Sequence, residues 1–376
     1  MNPSPRNAAP KRTTAVDIHH SAEQLPADVI ALMTDHARHS LQLAVPWFGN
    51  LERTVFAGHT GLRYFVLRES GRVLAVLPCL TQPGGWGRKV QGLANFYTAL
   101  YAPTLVPGLT PQQLAPLIDA LRAQPAPLRS LNLSPMDPAA PGFSALEAAL
   151  ELQGFSTFRY FCFGNWYLPA AADWPAYLAS RTSKQRSNIK RMAQRLTDAG
   201  GRVEIITNVD GTDRGLAAYN LVYALSWKVP EPHPQFMPSL VRLCADRGAL
   251  RLGVVWLGET PIAAQLWIVW GGRAEIFKVA YDEAHKALSP GTVLTAALMH
   301  HVLGSDHVTE VDYGVGDDPY KSLWMTQRRE RWGLIAYDRR TLAGCMGLLR
   351  EAVGRRVKRC VQRFKTLLVP RWEGRG

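Results

Sequence analysis

Leu252-Gly253-Val254-Val255-Trp256-Leu257, then Ile262-Ala263-Ala264-Gln265-Leu266-Trp267-Ile268-Val269-Trp270, then Ala274-Glu275-Ile276-Phe277-Lys278-Val279-Ala280-Tyr281 are three apolar, β-rich runs only a few residues apart. Gly258-Glu259-Thr260-Pro261 joins the first two and Gly271-Gly272 turns the chain into the third, so the stretch reads as a strand meander. Ser289-Pro290-Gly291-Thr292 follows and opens a helix, with Ser289 at the N-cap, Pro290 at the first helical position and Gly304 as the stop past Leu303. A helix start after a strand is an anion site, because its first backbone N–H groups have no intrahelical partner and its dipole end is positive. Gly291 lets a ligand approach the backbone closely. His307 to Tyr313 reads as a further strand, running out into Asp312-Tyr313-Gly314-Val315-Gly316-Asp317-Asp318-Pro319-Tyr320-Lys321. Carboxylates, a phenol and an amine therefore follow one another at a strand end.

Working outward, the chain of 376 residues is long enough for one large or two medium domains, and 47% hydrophobic with 19% charged residues is ordinary for a folded protein. A formal charge of +13 favours anionic partners: a nucleotide-bearing cofactor, RNA or an acidic membrane surface. Cys79, Cys162, Cys244, Cys345 and Cys360 are scattered without a C-x-x-C pair, so neither a disulfide framework nor a zinc cage is expected, and a reducing, cytoplasmic setting fits. Residues 1–20 read as a disordered leader without an apolar signal region. No apolar run reaches the roughly 20 residues of a membrane span.

The earlier part of the chain echoes the later one. Leu62 to Leu67 and Val73 to Leu80 form a hairpin, opened by Gly61-Leu62-Arg63 as Ala249-Leu250-Arg251 opens the later one. A glycine-rich loop at Pro83 to Arg88, a helix over about Pro111 to Ala123 and a strand over Leu128 to Leu133 follow. A tandem duplication of one α/β unit is the simplest account. Trp174 to Leu196 reads as one helix crowded with Arg181, Lys184, Arg186, Lys190, Arg191 and Arg195, and Leu216 to Trp227 as another. In the tail, Leu342 to Leu368, apolar residues alternate with Arg350, Arg355, Arg356, Lys358, Arg359, Arg363 and Lys365 as in a basic amphipathic helix. It can lie on an anionic membrane or cap the second half with a solvated basic face, and the second is the simpler reading.

Ser183-Lys184-Gln185-Arg186-Ser187-Asn188-Ile189-Lys190-Arg191, Ser226-Trp227-Lys228, Pro261-Ile262-Ala263-Ala264, Lys278-Val279-Ala280-Tyr281-Asp282, Ser289-Pro290-Gly291 and Gly316-Asp317 with Tyr320-Lys321 and Trp324, taken in this order, resemble the GNAT acyltransferase superfamily. The resemblance is closest to its bacterial FemAB-like or CelD-like branch with a BioF2-like acetyltransferase domain. It implies an α/β (α+β) fold of two GNAT-like halves, each a mixed, mostly antiparallel sheet flanked by helices. The expected division is a 21–165 half, a 166–340 acetyltransferase half and a 341–376 basic tail.

It implies transfer of an acyl group, acetyl first among the options, from acetyl-CoA or another acyl-CoA to an amine of a sugar, peptide or envelope-polysaccharide precursor, with no metal. Within the family, aminoacyl-tRNA-dependent ligation is the alternative. Outside it stands a catalytically silent RNA- or membrane-binding protein on the same scaffold. Such chemistry needs positioning and polarisation rather than a covalent nucleophile, and no G-x-S-x-G, H-E-x-x-H or Walker-type loop is present. The candidate proton acceptors are Asp317, which matches the family's Gly-Asp before Tyr-Lys, and Asp312. Tyr320 is the candidate donor to the leaving thiolate and Lys321 the candidate anion holder. Ser289, Pro290, Gly291, Thr292 and Lys278 are expected at the cofactor. Arg186, Arg191, Trp227 and Lys228 are expected at the substrate. Each also has a plain structural role available: turn, helix start, solvated face or core.

Overall fold

In the computed structural model, which describes residues 13–170 and 173–368 and backbone alone from 357 onward, the chain opens on an edge strand, β1 (Thr14–His19). That segment was assigned to the leader on composition. Its register with the next strand, Val16 opposite Leu67 and Ile18 opposite Phe65, places its alternating apolar residues against the core. Two helices follow, α1 (Ala27–His36) and α2 (Val45–Thr54), then the hairpin β2 (Leu62–Glu69) and β3 (Arg72–Gln82), β4 (Arg88–Gly92) and a short β5 (Thr104–Leu105). The first half continues through α3 (Pro111–Arg122), β6 (Leu128–Met136), α4 (Pro141–Leu152) and the long β7 (Phe155–Pro169).

The basic stretch read as one helix is two, α5 (Trp174–Ala179) and α6 (Ser183–Asp198). The break is chemical: Thr182 accepts a bond from the Gln185 N–H and starts α6 afresh. Then come β8 (Gly201–Ile206), α7 (Thr212–Ala224), α8 (Phe236–Asp246), and the meander β9 (Leu250–Leu257), β10 (Thr260–Trp270) and β11 (Arg273–Tyr281). α9 (Pro290–Gly304), β12 (Glu310–Asp312), β13 (Gln327–Asp338) and α10 (Leu342–Leu368) complete the chain.

All the strands join one sheet, in the order β1-β2-β3-β4-β6-β13-β7-β12-β11-β10-β9-β8, with β5 beside β3. Read from its two edges, the sheet is the same unit twice. β2 and β3 carry nearly the burial pattern of β9 and β10, and β4 pairs parallel to β6 as β11 pairs parallel to β12. The halves are stitched together at the centre by exchange. β13, late in the chain, lies against β6 of the first half, and β7, from before the second half, lies against β12. β13 pairs along its full length with β7, from Tyr167 back to Phe155. The expected cut between 165 and 166 therefore falls inside β7. Because β13 sits in the first half's sheet, α10 packs on β6 and β13 and covers the first half, not the second.

Two cores fill the layers. Trp47, Tyr64, Phe65 and Phe236 anchor one, and Trp267, Leu294 and Leu298 the other. At ~25 cal/mol per Å² of buried apolar surface these aromatics supply much of the folding drive. A pair such as Trp47 and Phe236, edge to face at 5.7 Å, joins the first half's α2 to the second half's α8.

Candidate active site

The meander positions the site by failing to close. β11 pairs with β12 only from Arg273–Glu310 to Glu275–Asp312, and there the two strands part. Past that point Ile276 to Val279 run along one side of a cleft and Tyr313, Gly314 and Val315 along the other. A strand edge whose ladder has ended presents N–H and C=O groups that need partners. The start of α9 faces the same opening. Gly291 and Thr292 line a cavity of about 360 Å³ together with Gln185, Trp227, Tyr281 and Tyr320. A neighbouring cavity of about 230 Å³ is lined by Tyr97, Lys228, Glu275, Lys278, Tyr320 and Lys321. Val279, Tyr313 and Tyr320 border both. The first lies toward α9, and the second takes Phe96 and Tyr97 from the other half of the molecule.

The α9 start departs from expectation in its details. Ser289 adopts φ 49° and its side chain makes no capping bond. Its carbonyl, instead, accepts the Thr292 and Val293 N–H groups at 3.0 and 3.2 Å. With Pro290 lacking an N–H, Gly291 is left as the free donor of that turn. The Gly291 carbonyl is held from within by Gln265 Nε2 at 3.0 Å and Thr295 Oγ1 at 2.9 Å. The counterpart helix of the first half is closed: Thr110 and Gln113 form a reciprocal capping box at the start of α3. The counterpart cleft is filled as well. The Tyr101 ring lies where a Cβ on Gly92 would sit, 2.7 Å away, and its buried hydroxyl donates to the Pro78 carbonyl at 2.6 Å. Among the described residues, only the second half keeps an open strand parting and an uncapped helix start together.

The acidic candidates fall elsewhere. Asp312 is buried and accepts bonds from Arg273, Arg329, Asn165 Nδ2 at 2.7 Å and the Gly314 N–H at 2.6 Å. Burial alone would raise its pKa, but the surrounding guanidinium groups outweigh it and hold the carboxyl far below its usual range. Such a group anchors the strand end and takes no proton. Asp317 lies on the surface, bound by Arg328 and by the Trp166 indole N–H at 2.8 Å, which lower its pKa. It borders neither cavity. The Gly-Asp motif thus ties down a loop.

Tyr320, Lys321, Lys278, Trp227 and Lys228 border one or both cavities. Tyr320 stands between the cavities, and burial raises its pKa. Lys321 is buried and donates to the Val315 and Gly316 carbonyls at 2.6 and 3.2 Å, bracing the loop at the cavity wall. Lys278 pairs with Glu231 at 2.6 Å, and the Tyr97 hydroxyl donates to the other Glu231 oxygen at 2.5 Å. Trp227 packs on Tyr281 with ring centroids 4.8 Å apart. Lys228 lies over Trp227, its pKa lowered by burial and then by Lys278. Arg186 donates to the carbonyls of Ala179 and Arg181, capping the end of α5, and Arg191 bonds Asn188. Neither reaches a cavity, whereas Gln185 and Asn188 of the same helix do.

Sequence reasoning passed over Glu275. It is 7% exposed, stands where β11 and β12 part, and accepts a hydrogen bond from Gln42 Nε2. Burial, and after it the Asp312 charge, raises its pKa to about 7. The signal was available: Glu275 is a charge between Ala274 and Ile276 in a buried strand, as Lys278 is between Phe277 and Val279. Among the described residues, no group of three His, Cys, Asp or Glu is placed to hold a metal ion.

Residues 183–322, which include β11, α9 and the cleft, match the family described as acetyltransferase (GNAT) domain. No curated protein matches the chain. Among solved structures, FemX superposes with a TM-score of 0.58 at 12% identity, over 86% of this chain and 97% of that one. The C-terminal domain of a putative lysylphosphatidylglycerol synthetase from Agrobacterium fabrum gives 0.51 at 12%, over 86% and 96%. L-PGS from Bacillus licheniformis gives 0.51 at 12%, over 89% and 98%. Residues 183–322 in the second half thus match a GNAT acetyltransferase domain, and the chain as a whole has the fold of FemX.

Proposed function

We propose that the protein transfers an acyl group from an acyl-CoA to an amine, with the donor in the cavity lined by Val279, Tyr281, Gly291 and Thr292 and the acceptor in the neighbouring cavity of Lys228 and Glu275. The observation that carries this reading is the parting of β11 from β12 beside an uncapped helix start. A pantetheine arm is linear and carries two amides, which suits a narrow cleft with an unpaired strand edge. The pyrophosphate of the CoA would meet the Gly291 N–H and the positive end of α9.

In the reaction the amine nitrogen attacks the thioester carbonyl, the N–C bond forms, and the C–S bond breaks. Glu275, with a pKa near 7, takes the proton from the nitrogen, directly or through water. The Tyr320 hydroxyl, kept protonated by burial, gives a proton to the departing thiolate. Unpaired N–H groups of the β11 edge polarise the carbonyl. Asp312, Asp317 and Lys321 hold the walls in place. An amine on a sugar, peptide or envelope-polysaccharide precursor is the acceptor class, admitted past Phe96 and Trp227 and oriented by Lys228.

One observation favours the second reading, aminoacyl-tRNA as donor: Lys184, Arg186, Lys190, Arg191 and Arg195 are exposed on α6, beside the cleft. Calorimetric titration with acetyl-CoA, longer acyl-CoAs and tRNA separates the two. Saturable binding of an acyl-CoA, one per chain, supports the proposal. Binding of tRNA with none of acyl-CoA overturns it in favour of the ligase.

A further inference from the structure

α10 presents one face that nothing among the described residues covers. Leu342, Met346, Leu349 and Val353 are 86, 47, 67 and 52% exposed, and their spacing of four, three and four residues keeps them on one narrow stripe of the helix. The opposite side is seated: Cβ atoms on Gly344 and Gly347 would run into the Asp338 backbone and the Tyr337 ring. The stripe is extended by a second element. Trp86 is 67% exposed at the tip of the β3–β4 loop, and a Cβ on the adjacent Gly87 would lie 2.7 Å from that of Ala343, at the start of α10.

Around this apolar ridge the charge is of one sign. Arg339, Arg340, Arg350 and Arg356 are exposed. The one acid of the helix, Glu351, is already engaged by Arg355 at 2.8 Å and the Tyr337 hydroxyl at 3.2 Å. From Ala352 to Leu368 the sequence adds basic residues and no acidic one.

We infer that α10 and Trp86 form a surface that seats the protein on an anionic lipid bilayer, the apolar stripe entering the headgroup boundary and the arginines pairing with lipid phosphates. Leucine, methionine and tryptophan at one level, flanked by arginines whose stems can follow them, is the composition of an interfacial helix. A second copy of the chain fits less well. Face to face it would set arginine against arginine, and one helix stripe with a tryptophan is small against the ~800 Å² per partner of a stable interface. This inference does not depend on which acyl donor the cleft holds.

The test is sedimentation of the full chain with phosphatidylcholine vesicles and with vesicles containing about a quarter phosphatidylglycerol. Three variants are compared: Leu349→Glu with Val353→Glu, Trp86→Ser, and Arg350→Ala with Arg356→Ala. All are exposed positions, and equal melting temperatures confirm folding. The anionic vesicles are expected to retain the parent chain and the neutral ones to retain little. The double glutamate variant is expected to lose at least about tenfold in partition, and the arginine variant to lose several-fold, with a weaker salt dependence. Equal binding to both vesicle types, or glutamate variants that bind as the parent does, overturns the inference. So does a concentration-dependent dimer that the same variants dissociate, in the absence of vesicle binding.

Discussion

Replacing Glu275 by glutamine tests the proposed proton acceptor and has two signatures that can be read separately. The carboxyl has an ordinary value of 4.5 and is raised to about 7, chiefly by burial, so carrying its charge in the folded state costs about 3 kcal/mol relative to the unfolded chain. The sign follows: between pH 4.5 and about 7 the folded protein holds a proton that the unfolded chain has released. The stabilisation is fully present below 4.5 and is lost as pH rises to about 7. Glutamine cannot ionise, so the variant should lack this slope and, above pH 7, be more stable than the parent by up to about 3 kcal/mol in urea titrations.

Activity should move the opposite way. With CoA-thiol release followed against a panel of amino sugars and peptides, parent kcat/KM should climb about tenfold per pH unit below 7 and level off above it. The glutamine variant should fall by about 10²- to 10⁴-fold. A parent profile without a break near neutrality, or a variant within about threefold of the parent, would refute the assignment. Lost stability together with retained turnover would make Glu275 a structural group.

The other expectations are narrower. Asp317→Asn should leave turnover within about threefold, since this carboxylate binds Arg328 and Trp166 outside both cavities; a loss beyond about 100-fold would return it to the mechanism. Arg273→Ala strips a partner from buried Asp312 and should cost about 3–5 kcal/mol in denaturant titration, whereas a cost below about 1 kcal/mol would mean that Asp312 is otherwise satisfied. Lys228→Met should raise the acceptor KM with donor affinity and melting temperature unchanged; a collapse in melting temperature would assign it to packing. Tyr101→Ala should destabilise the first half by about 3–5 kcal/mol without altering acyl-CoA affinity, and a second binding event in that variant would show that the residue plugs a latent site.

What the sequence made legible was whatever depends on neighbours along the chain. The meander, the α9 start and the long tail helix all follow from apolar spacing and turn residues, and the echo of Leu62–Leu80 in Leu250–Trp270 pointed to duplication. The exchange of β7 and β13 was not legible, because which strand closes a sheet is settled by pairing between residues about 170 positions apart. The same limit misplaced the tail helix on the second half.

Where the candidate site residues lie has a related reason. Asp312 and Asp317 share a short motif, yet their partners are Arg273, Arg329 and Trp166 from other strands, and those partners decide that the two carboxylates hold structure. Tyr320, Lys228 and Gly291 line the cavities, and each stands at a loop or helix start that local signals mark. Glu275 is marked in the sequence as a charge within an apolar strand, but its raised pKa comes from burial and then from the Asp312 charge, which strand spacing does not report.

The claim underneath these predictions is that an acyl-CoA arm lies along β11 and reaches the start of α9. Hydrogen exchange of the backbone amides, measured with and without acetyl-CoA, reads this directly. Slower exchange over Ile276–Tyr281 and at Gly291, with the β4 and α3 counterparts of the first half unchanged, is the expected result. Unchanged exchange along β11 in the presence of a saturating acyl-CoA, or protection confined to the first half, would contradict it.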